Sequence, residues 1–265
     1  MLISSRANER VKAIRALQER KARDQSGTFF AEGTRVLRAA LETGAVIEQV
    51  VVCEERLTED DAAVANELAS RDLPILEVTG PVFDAISFRE EGQSLGAVVR
   101  QNWETLTRET KGKRCWVALH DIGHPGNLGT IVRCNDAIGG DGVILSGTTT
   151  DPYHPIAVRG SLAAVFTQRI VRSSPADLAR WARDSGCLVV GTSPYGNVDF
   201  REPDYTQRPV LLIGGSERIG ISEEQIALCD AVVRIPMHGY VESLNLSIAT
   251  ALVLYEIERQ RSAAG

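Results

Sequence analysis

Three loops that combine glycine with polar side chains hold the residues of this sequence best suited to chemistry. Residues 121–133 contain Asn127 and Arg133, residues 212–222 contain a glycine pair followed by Glu217, and residues 235–247 contain Ser243 and Asn245. Glycine lets the backbone approach a ligand closely, while amide, hydroxyl, carboxylate and guanidinium groups can orient it. The pattern predicts a ligand site to which backbone and side-chain groups both contribute.

Each loop taken alone also has a purely structural explanation. Asn127 can cap the following helix, and Arg133 can be a surface residue. The second loop lacks both the P-loop ending and the Gly-x-Gly-x-x-Gly fingerprint, so a tight turn with Ser222 as a helix cap explains it equally well. In the third loop, three polar side chains crowd the start of a helix that needs one cap, which indicates contacts beyond capping.

The elements around these loops predict an α/β domain. Apolar, β-branched runs predict strands at 115–120, 142–146, 188–191, 210–213 and 231–235, and helical spacing predicts helices at 128–138, 175–184, 223–228 and 247–260. Each of the three loops joins a strand to a helix. Open α/β sheets bind ligands at this carboxyl edge of their strands, so we expect the site there.

The first hundred residues predict a smaller α/β unit. Helices are expected at 7–21, 35–42 and 60–70, and strands at 28–31, 46–53, 74–78 and 96–100. This repeating order predicts a mostly parallel sheet covered on both sides. Residues 101–114 are polar and lack periodicity, so we divide the chain into a domain at 1–100, a linker at 101–114 and a domain at 115–265.

Composition excludes several classes of protein. The 265 residues are 43% hydrophobic and 24% charged, as in an ordinary globular protein. The five cysteines form no Cys-x-x-Cys pair, which disfavours a zinc ribbon or a disulfide framework. We see no apolar signal core and no run long enough for a membrane span, so we expect a cytoplasmic protein.

Charge is distributed unevenly along the chain. The net charge is −6, but residues 1–40 hold nine basic and four acidic side chains. A basic segment on an acidic body could contact a polyanion. On charge alone, a solvated helix face is the stronger interpretation.

The three loops together resemble the SPOUT superfamily, and specifically the SpoU/TrmH family of RNA ribose 2′-O-methyltransferases. The matching positions, in the order of that family's three motifs, are Pro125, Asn127, Gly129 and Arg133; Gly215, Glu217, Gly220 and Ser222; and Ile235, Pro236, Met237, Gly239, Ser243, Leu244 and Asn245. The likeness covers residues 115–260. Arg218 departs from it, because family members often carry glycine after the glutamate. More weakly, Phe30 to Gly33 and the order of elements resemble the substrate-binding domain of these enzymes.

The resemblance implies a fold, a cofactor and a site. It implies a C-terminal α/β trefoil-knot methyltransferase domain and a smaller N-terminal α/β/α substrate-binding domain, with S-adenosylmethionine as cofactor and no metal. Arg133 would act on the ribose hydroxyl, either as a base or by stabilising the developing alkoxide. The other catalytic residues would be Asn127, Glu217, Ser243 and Asn245, and the cofactor would contact Gly214, Gly215, Ile235, Met237, Leu244 and Asn245.

The resemblance also implies partners. The substrate would be RNA, with 23S rRNA ahead of tRNA, and basic residues such as Arg6, Lys12 and Arg35 would hold it. A homodimer through the knotted domain is expected.

Other functions stay open at this point. A non-catalytic RNA-binding module could keep the same fold, and a small-molecule α/β enzyme could use a nucleotide cofactor without the usual phosphate fingerprints. His120, Asp121 and His124 lack the further ligands that a metal site needs. Cys134 beside Arg133 is better explained as a small helix residue than as a reactive thiol.

Overall fold

The structure is a computed structural model that describes residues 2–88, 93–106 and 115–264. The chain divides into two compact units. The first comprises Met1–Asn102 and Tyr153–Phe166, and the second comprises Trp103–Pro152 and Thr167–Gly265. The sequence pattern predicts residues 153–166 in the second domain, whereas in the structure this segment packs with the first unit.

The first unit is built on a four-stranded sheet. Its elements are α1 (Glu9–Ala16), α2 (Arg20–Ser26), β1 (Thr28–Glu32), α3 (Thr34–Glu42), β2 (Ile47–Val52), α4 (Glu59–Ala69), β3 (Ile75–Glu77), α5 (Gly80–Ile86) and β4 (Leu95–Arg100). The apolar faces of α1 and α5 pack on the sheet through a core that includes Val11, Phe83, Phe30 and Val51.

The sheet of the first unit is mixed, so the expectation of a mostly parallel sheet is wrong here. Its strand order is β1-β4-β2-β3. Strand β4 pairs antiparallel with β1 and β2, and among the described strands of this sheet the one parallel pair is β2 with β3. The last strand of the unit enters the middle of the sheet rather than its edge. The order of elements along the chain does not determine where a strand inserts.

The first predicted helix is broken in two. The chain turns at residues 17–19 and restarts as α2. The guanidinium of Arg23, which is almost fully buried, donates to the backbone carbonyls of Leu17 and Gln18 at 2.8 Å each. Because these bonds satisfy carbonyls that the broken helix leaves free, Arg23 is structural rather than part of a solvated basic face.

A buried carboxylate links three elements of the first unit. Asp61 on α4 accepts hydrogen bonds from the hydroxyls of Thr34 and Ser94, the latter at 2.6 Å, and from the backbone N–H of Thr58 at 3.1 Å. Burial favours the neutral acid, but these donors outweigh burial and lower the pKa of Asp61. The ionised group therefore stabilises the folded unit.

We expect Asp61→Asn to lower the free energy of unfolding by about 2 kcal/mol at pH 7, because the new amide group cannot accept every one of these bonds. A group whose pKa is lowered by folding stabilises the protein above its unfolded pKa of about 4, and this contribution disappears as the pH falls through the folded pKa. The difference in the free energy of unfolding between the variant and the wild type should therefore become smaller in acid. Urea unfolding at several pH values measures it, with Asp72→Asn at an exposed turn as the control.

The second unit is built on a seven-stranded parallel sheet. Its elements are β5 (Cys115–His120), α6 (Pro125–Ala137), β6 (Gly142–Ser146), β7 (Arg169–Ser173), α8 (Pro175–Asp184), β8 (Leu188–Thr192), β9 (Val198–Asp199), β10 (Val210–Gly214), α9 (Glu223–Ile226), β11 (Ala231–Arg234) and α10 (Leu246–Ala264); α7 (Pro155–Gly160) belongs to the first unit. The strand order is β7-β6-β5-β10-β8-β11-β9.

Every strand pair in this sheet is parallel, as expected from buried apolar runs. From β5 the chain moves outward to β6 and β7, and it then returns to the other side of β5. This change of direction brings the loops after β5, β10, β8 and β11 together at the carboxyl edge of the sheet. Ligand sites form at such switch points.

The segment predicted as a linker is partly ordered. Glu104 donates its backbone N–H to the carbonyl of Ile170 at 2.9 Å, and its carboxylate pairs with Arg169 at 2.6 Å. Residues 107–114 of the predicted linker lie outside the described residues. In the part of the chain that is described, no helix has the length and apolar character needed to cross a membrane.

Candidate functional site

The first loop enters its helix earlier than the sequence suggests. Helix α6 begins at Pro125, and the Nδ1 atom of His124 caps it by accepting the N–H of Gly126 at 3.2 Å. The expectation that Asn127 is the cap is therefore wrong. Proline suits the first helical position, since it has no N–H to satisfy there. As the third residue of α6, Asn127 has its side-chain amide free to bond with other loops.

A chain of hydrogen bonds ties the three loops together. Asn127 donates its amide N–H to one carboxylate oxygen of Glu217, and the backbone N–H of Gly123 donates to the other at 3.2 Å. The amide of Asn245 donates to Oδ1 of Asn127 at 3.1 Å, while its own oxygen accepts from Ser247. We name the Asn127, Glu217 and Asn245 side chains the loop junction. Residues separated by about a hundred positions in sequence thus form one polar unit.

The glycine-rich loop is a closed hairpin. Ser216 and Gly220 exchange two backbone hydrogen bonds of 2.9 Å, and Gly220 has a positive φ of 77°. A Cβ at Gly215 would lie 2.0 Å from the backbone of Gly220, so this position requires glycine. Ser222 forms a capping box with Gln225 at the start of α9, as predicted for Ser222. The loop is thus a tight turn that also holds Glu217 in the junction.

The junction lies at the rim of a cleft of about 1040 Å³ in the second unit. Five of the six residues expected to bind the cofactor line it: Gly215, Ile235, Met237, Leu244 and Asn245. Gly214 ends β10, where a Cβ would meet Leu119 and Leu246 at 3.0 and 3.3 Å, and it is not among the described lining residues. Of the expected catalytic residues, Asn127, Glu217, Ser243 and Asn245 line the cleft.

A fourth loop, which the sequence patterns did not predict, also lines the cleft. Residues 193–197, which follow β8, line the cleft together with Thr192 at the end of that strand, and Tyr195 in this loop is 89% exposed. A Cβ at Gly196 would lie 2.6 Å from the backbone of Val233, so this loop lies directly against β11. The usable signal was the position of Gly196 just after a predicted strand at the edge where the other loops lie.

Arg133 lies on α6 outside the described lining of the cleft. It is exposed and makes no hydrogen bond or ion pair with the residues that the structure describes. Helical spacing places Gly126 and Gly129 seven and four residues earlier on the same face, and side chains on a helix lean toward its N-terminus. Arg133 follows Asn127 by six residues, which is about 9 Å along the helix axis and about 120° around it, so the two side chains leave different faces of α6.

The other candidate groups have structural roles. His120 contacts the Ser146 hydroxyl at 3.1 Å, and Asp121 accepts the backbone N–H of Thr148 at 2.6 Å. Burial raises the pKa of the Cys134 thiol despite the opposing charge of Arg133, so this cysteine stays protonated at neutral pH. Trp116 packs edge-on against Trp181 with ring centroids 5.6 Å apart.

The lining of the cleft suits a nucleoside with a cationic group. Apolar side chains such as Ile221, Ile235 and Leu244 offer a surface for a flat ring, and Glu217 and Glu242 add negative charge. The volume is at the upper end of the roughly 300–1,000 Å³ typical of small-molecule sites. A parallel α/β sheet with such a cleft at its switch point is typical of a ligand-binding α/β domain.

The chain belongs to the SpoU rRNA methylase family, whose model matches residues 114–255. Residues 8–97 match the MRM3-like substrate binding domain. The 23S rRNA (uridine(2479)-2′-O)-methyltransferase of Streptomyces viridochromogenes is 33% identical, over 92% of this chain and 87% of that protein. The 23S rRNA (guanosine(2553)-2′-O)-methyltransferase RlmP of Bacillus subtilis is 26% identical, over 96% and 98%.

Solved structures agree over nearly the whole chain. The AdoMet-bound rRNA methyltransferase of Sinorhizobium meliloti is 37% identical, with a TM-score of 0.90 over 98% of this chain and 97% of that one. The SpoU methyltransferase AviRb of Streptomyces viridochromogenes, also solved with AdoMet, is 30% identical, with a TM-score of 0.88 over 97% and 99%. The protein is therefore an α/β methyltransferase that depends on S-adenosylmethionine, and the predicted family, fold class and cofactor are confirmed.

Proposed function

We propose that this protein methylates the 2′-hydroxyl of a ribose in 23S rRNA. The loop junction of Asn127, Glu217 and Asn245 is the observation that carries the proposal. It joins the polar residues of three separate motifs at the rim of a cleft suited to the cofactor. The names of the relatives from Streptomyces and Bacillus support the choice of ribosomal RNA and of the ribose oxygen. An rRNA substrate also supports a cytoplasmic location.

The residues of this chain act mainly by orientation and electrostatics. When bound, S-adenosylmethionine supplies a methyl group on a cationic sulfur. Gly215, Ile235, Met237 and Leu244 would hold the cofactor in the cleft, and Ser243 and Asn245 would offer polar contacts to the ribose. As a cationic guanidinium, Arg133 would stabilise the negative charge that develops on the 2′-oxygen while the hydroxyl proton is lost to water. In-line positioning then accounts for a large part of the rate.

The first unit would hold the RNA, and the basic residues expected to do so differ in the contacts they already make. Arg6 donates to the carbonyl of Pro81 at 3.0 Å, and Lys12 pairs with Glu9 at 2.8 Å. Arg35 is exposed and has no hydrogen bond or ion pair among the described residues. Arg35 is therefore the best placed of the three to bind a phosphate, since its guanidinium is already free.

Methyl transfer to separated RNAs tests the proposal. Tritiated S-adenosylmethionine is incubated with the protein and with rRNA or tRNA that lacks this modification. Label in 23S rRNA, with a gap in an alkaline-hydrolysis ladder, is the expected result, because a methylated 2′-oxygen cannot attack the adjacent phosphate. Label confined to tRNA would show that the substrate is tRNA rather than 23S rRNA. Cofactor binding without transfer to any RNA, including assembly intermediates, would leave a non-catalytic RNA-binding module.

We also propose a homodimer formed through the second unit. Ile248, Leu252 and Tyr255 are 50%, 41% and 55% exposed, and they lie within two turns of α10. Their spacing of four and three residues places them in one apolar stripe. An exposed apolar stripe of this kind on a helix is typical of an interface.

Leu252→Glu should dissociate this dimer. A carboxylate in the middle of the stripe would be buried without a partner, and we expect the dimer Kd to rise by about 100-fold or more. Light scattering after size exclusion should show a shift to the monomer mass of 28.8 kDa. Val46→Glu, which places the same charge on an exposed apolar residue of the first unit, is the control. A wild-type protein that is already monomeric, or a variant that stays dimeric, would exclude this interface.

A further inference from the structure

Two cationic or donor side chains flank the loop junction and have no role in it. Arg218 follows Glu217, and His124 follows Gly123, whose N–H binds the Glu217 carboxylate at 3.2 Å. The hydrogen bond brings these two chain segments together, so the residues next to them are also neighbours in space. Both Arg218 and His124 are exposed, and both line the mouth of the cleft.

Arg218, like Arg133, is an arginine that no described carboxylate neutralises. It makes no hydrogen bond or ion pair with the described residues, although the chain has an excess of acids. By contrast, several arginines of the second unit do pair with a carboxylate, namely Arg169, Arg180, Arg201, Arg208 and Arg259. The closed hairpin between Ser216 and Gly220 presents Arg218 at its tip, beside Ile219, which is 85% exposed.

His124 has one nitrogen available as a donor. Its Nδ1 accepts the N–H of Gly126, so in the neutral ring the proton is on Nε2. This tautomer cannot take a proton from a substrate through Nε2, but it can donate a hydrogen bond. The start of α6 lies directly after His124, and the positive end of the helix dipole adds to the local field for an anion.

The negative charges nearby are partly compensated. Both oxygens of Glu217 accept hydrogen bonds, from Asn127 and from Gly123. Glu242, from the third loop, also lines the cleft. Anion binding at the mouth therefore depends on Arg218, whose planar guanidinium can form two parallel bonds to a phosphate.

We propose that Arg218 and His124 form a subsite for an RNA phosphate next to the methylated nucleotide. The proposal rests on the function proposed above. The carboxylate of the cofactor is the other anion that could enter the cleft. The exposure of Arg218 at the hairpin tip favours an external polyanion instead. The two residues are positioning residues: they fix the strand so that one ribose faces the junction.

Steady-state and binding measurements on Arg218→Gln and His124→Asn test the subsite. Asparagine is a good helix cap, so it preserves the start of α6. We expect the KM for RNA to rise about tenfold in Arg218→Gln and about threefold in His124→Asn, with kcat at saturating RNA and the cofactor Kd changed less than twofold. The slope of log K for RNA against log salt should fall by about one in Arg218→Gln.

Two further variants sharpen the test. Arg218→Lys should keep the salt slope and recover part of the affinity, because lysine retains the charge without the planar fork. Arg183→Gln, at an exposed site on α8, should leave every value unchanged. A weaker cofactor Kd with an unchanged KM for RNA would overturn the proposal and assign Arg218 to the cofactor. Unchanged values throughout would also overturn it. Failure of the wild type to methylate RNA would instead reject the proposed function.

Discussion

Arg133→Ala is expected to lower kcat by about 1,000-fold while the cofactor Kd stays within twofold of the wild type. Removing one preorganised group that stabilises developing negative charge typically costs about 10²–10³-fold in rate. Arg133 is exposed on α6 and outside the described lining of the cleft, so its loss leaves the cofactor surface intact. Single-turnover methylation of RNA and calorimetry with S-adenosylmethionine measure the two quantities.

Matched variants separate charge from geometry at this position. Arg133→Lys keeps the positive charge but loses the planar fork, and it should recover about tenfold of the lost rate. Arg183→Ala, a distant exposed arginine, controls for net charge. Methylation by Arg133→Ala at a rate near that of the wild type would refute the catalytic role. Loss of cofactor binding by Arg133→Ala would instead give Arg133 a role in binding the cofactor.

Asn127→Asp is expected to lower activity by about 100-fold at pH 8 and to regain most of it in acid. The substitution places a second carboxylate against Glu217, where the Asn127 amide now donates. Two carboxylates in contact cannot both ionise without a large cost, so the pKa of the pair is raised. Once protonated, the introduced carboxyl group can donate to Glu217 and accept from Asn245, as the asparagine does.

The pH dependence distinguishes a broken hydrogen bond from a damaged fold. The ratio of variant to wild-type activity should rise as the pH falls from 8 toward 5.5, and the cofactor Kd should tighten over the same range. Asn127→Ala introduces no group that can be protonated, so its loss of activity should be independent of pH. Asn66→Asp, on the exposed face of α4, is the control for added charge. A pH-independent loss of activity in Asn127→Asp would contradict the claim that the hydrogen bonds of the loop junction support activity.

Local sequence patterns predicted the second unit well. Five of its strands, β5, β6, β8, β10 and β11, lie within a residue of their expected positions because parallel strands buried on both faces are continuous apolar runs. The motif spacing also identified Asn127, Glu217 and Asn245. Glycine at Gly215 and the cap at Ser222 follow from short-range chemistry, which the sequence records directly.

Other features depend on contacts between distant residues. The role of Arg23 required the carbonyls that the break after α1 exposes, and the position of β4 in the middle of its sheet required its two antiparallel partners. The strand β7 and the cleft loop at 193–197 were not predicted, because short polar segments carry little periodic signal.

By itself, then, the sequence determined the family and the cofactor and predicted which polar residues form the site, because motif identity and spacing are local properties. Only the tertiary structure decided what those residues do for one another. Asn127 is a bridge rather than a cap because Glu217 and Asn245, 90 and 118 positions away, meet it at one sheet edge. Hydrogen bonds form between groups that are close in space. Strand order, which local propensity does not encode, sets those distances.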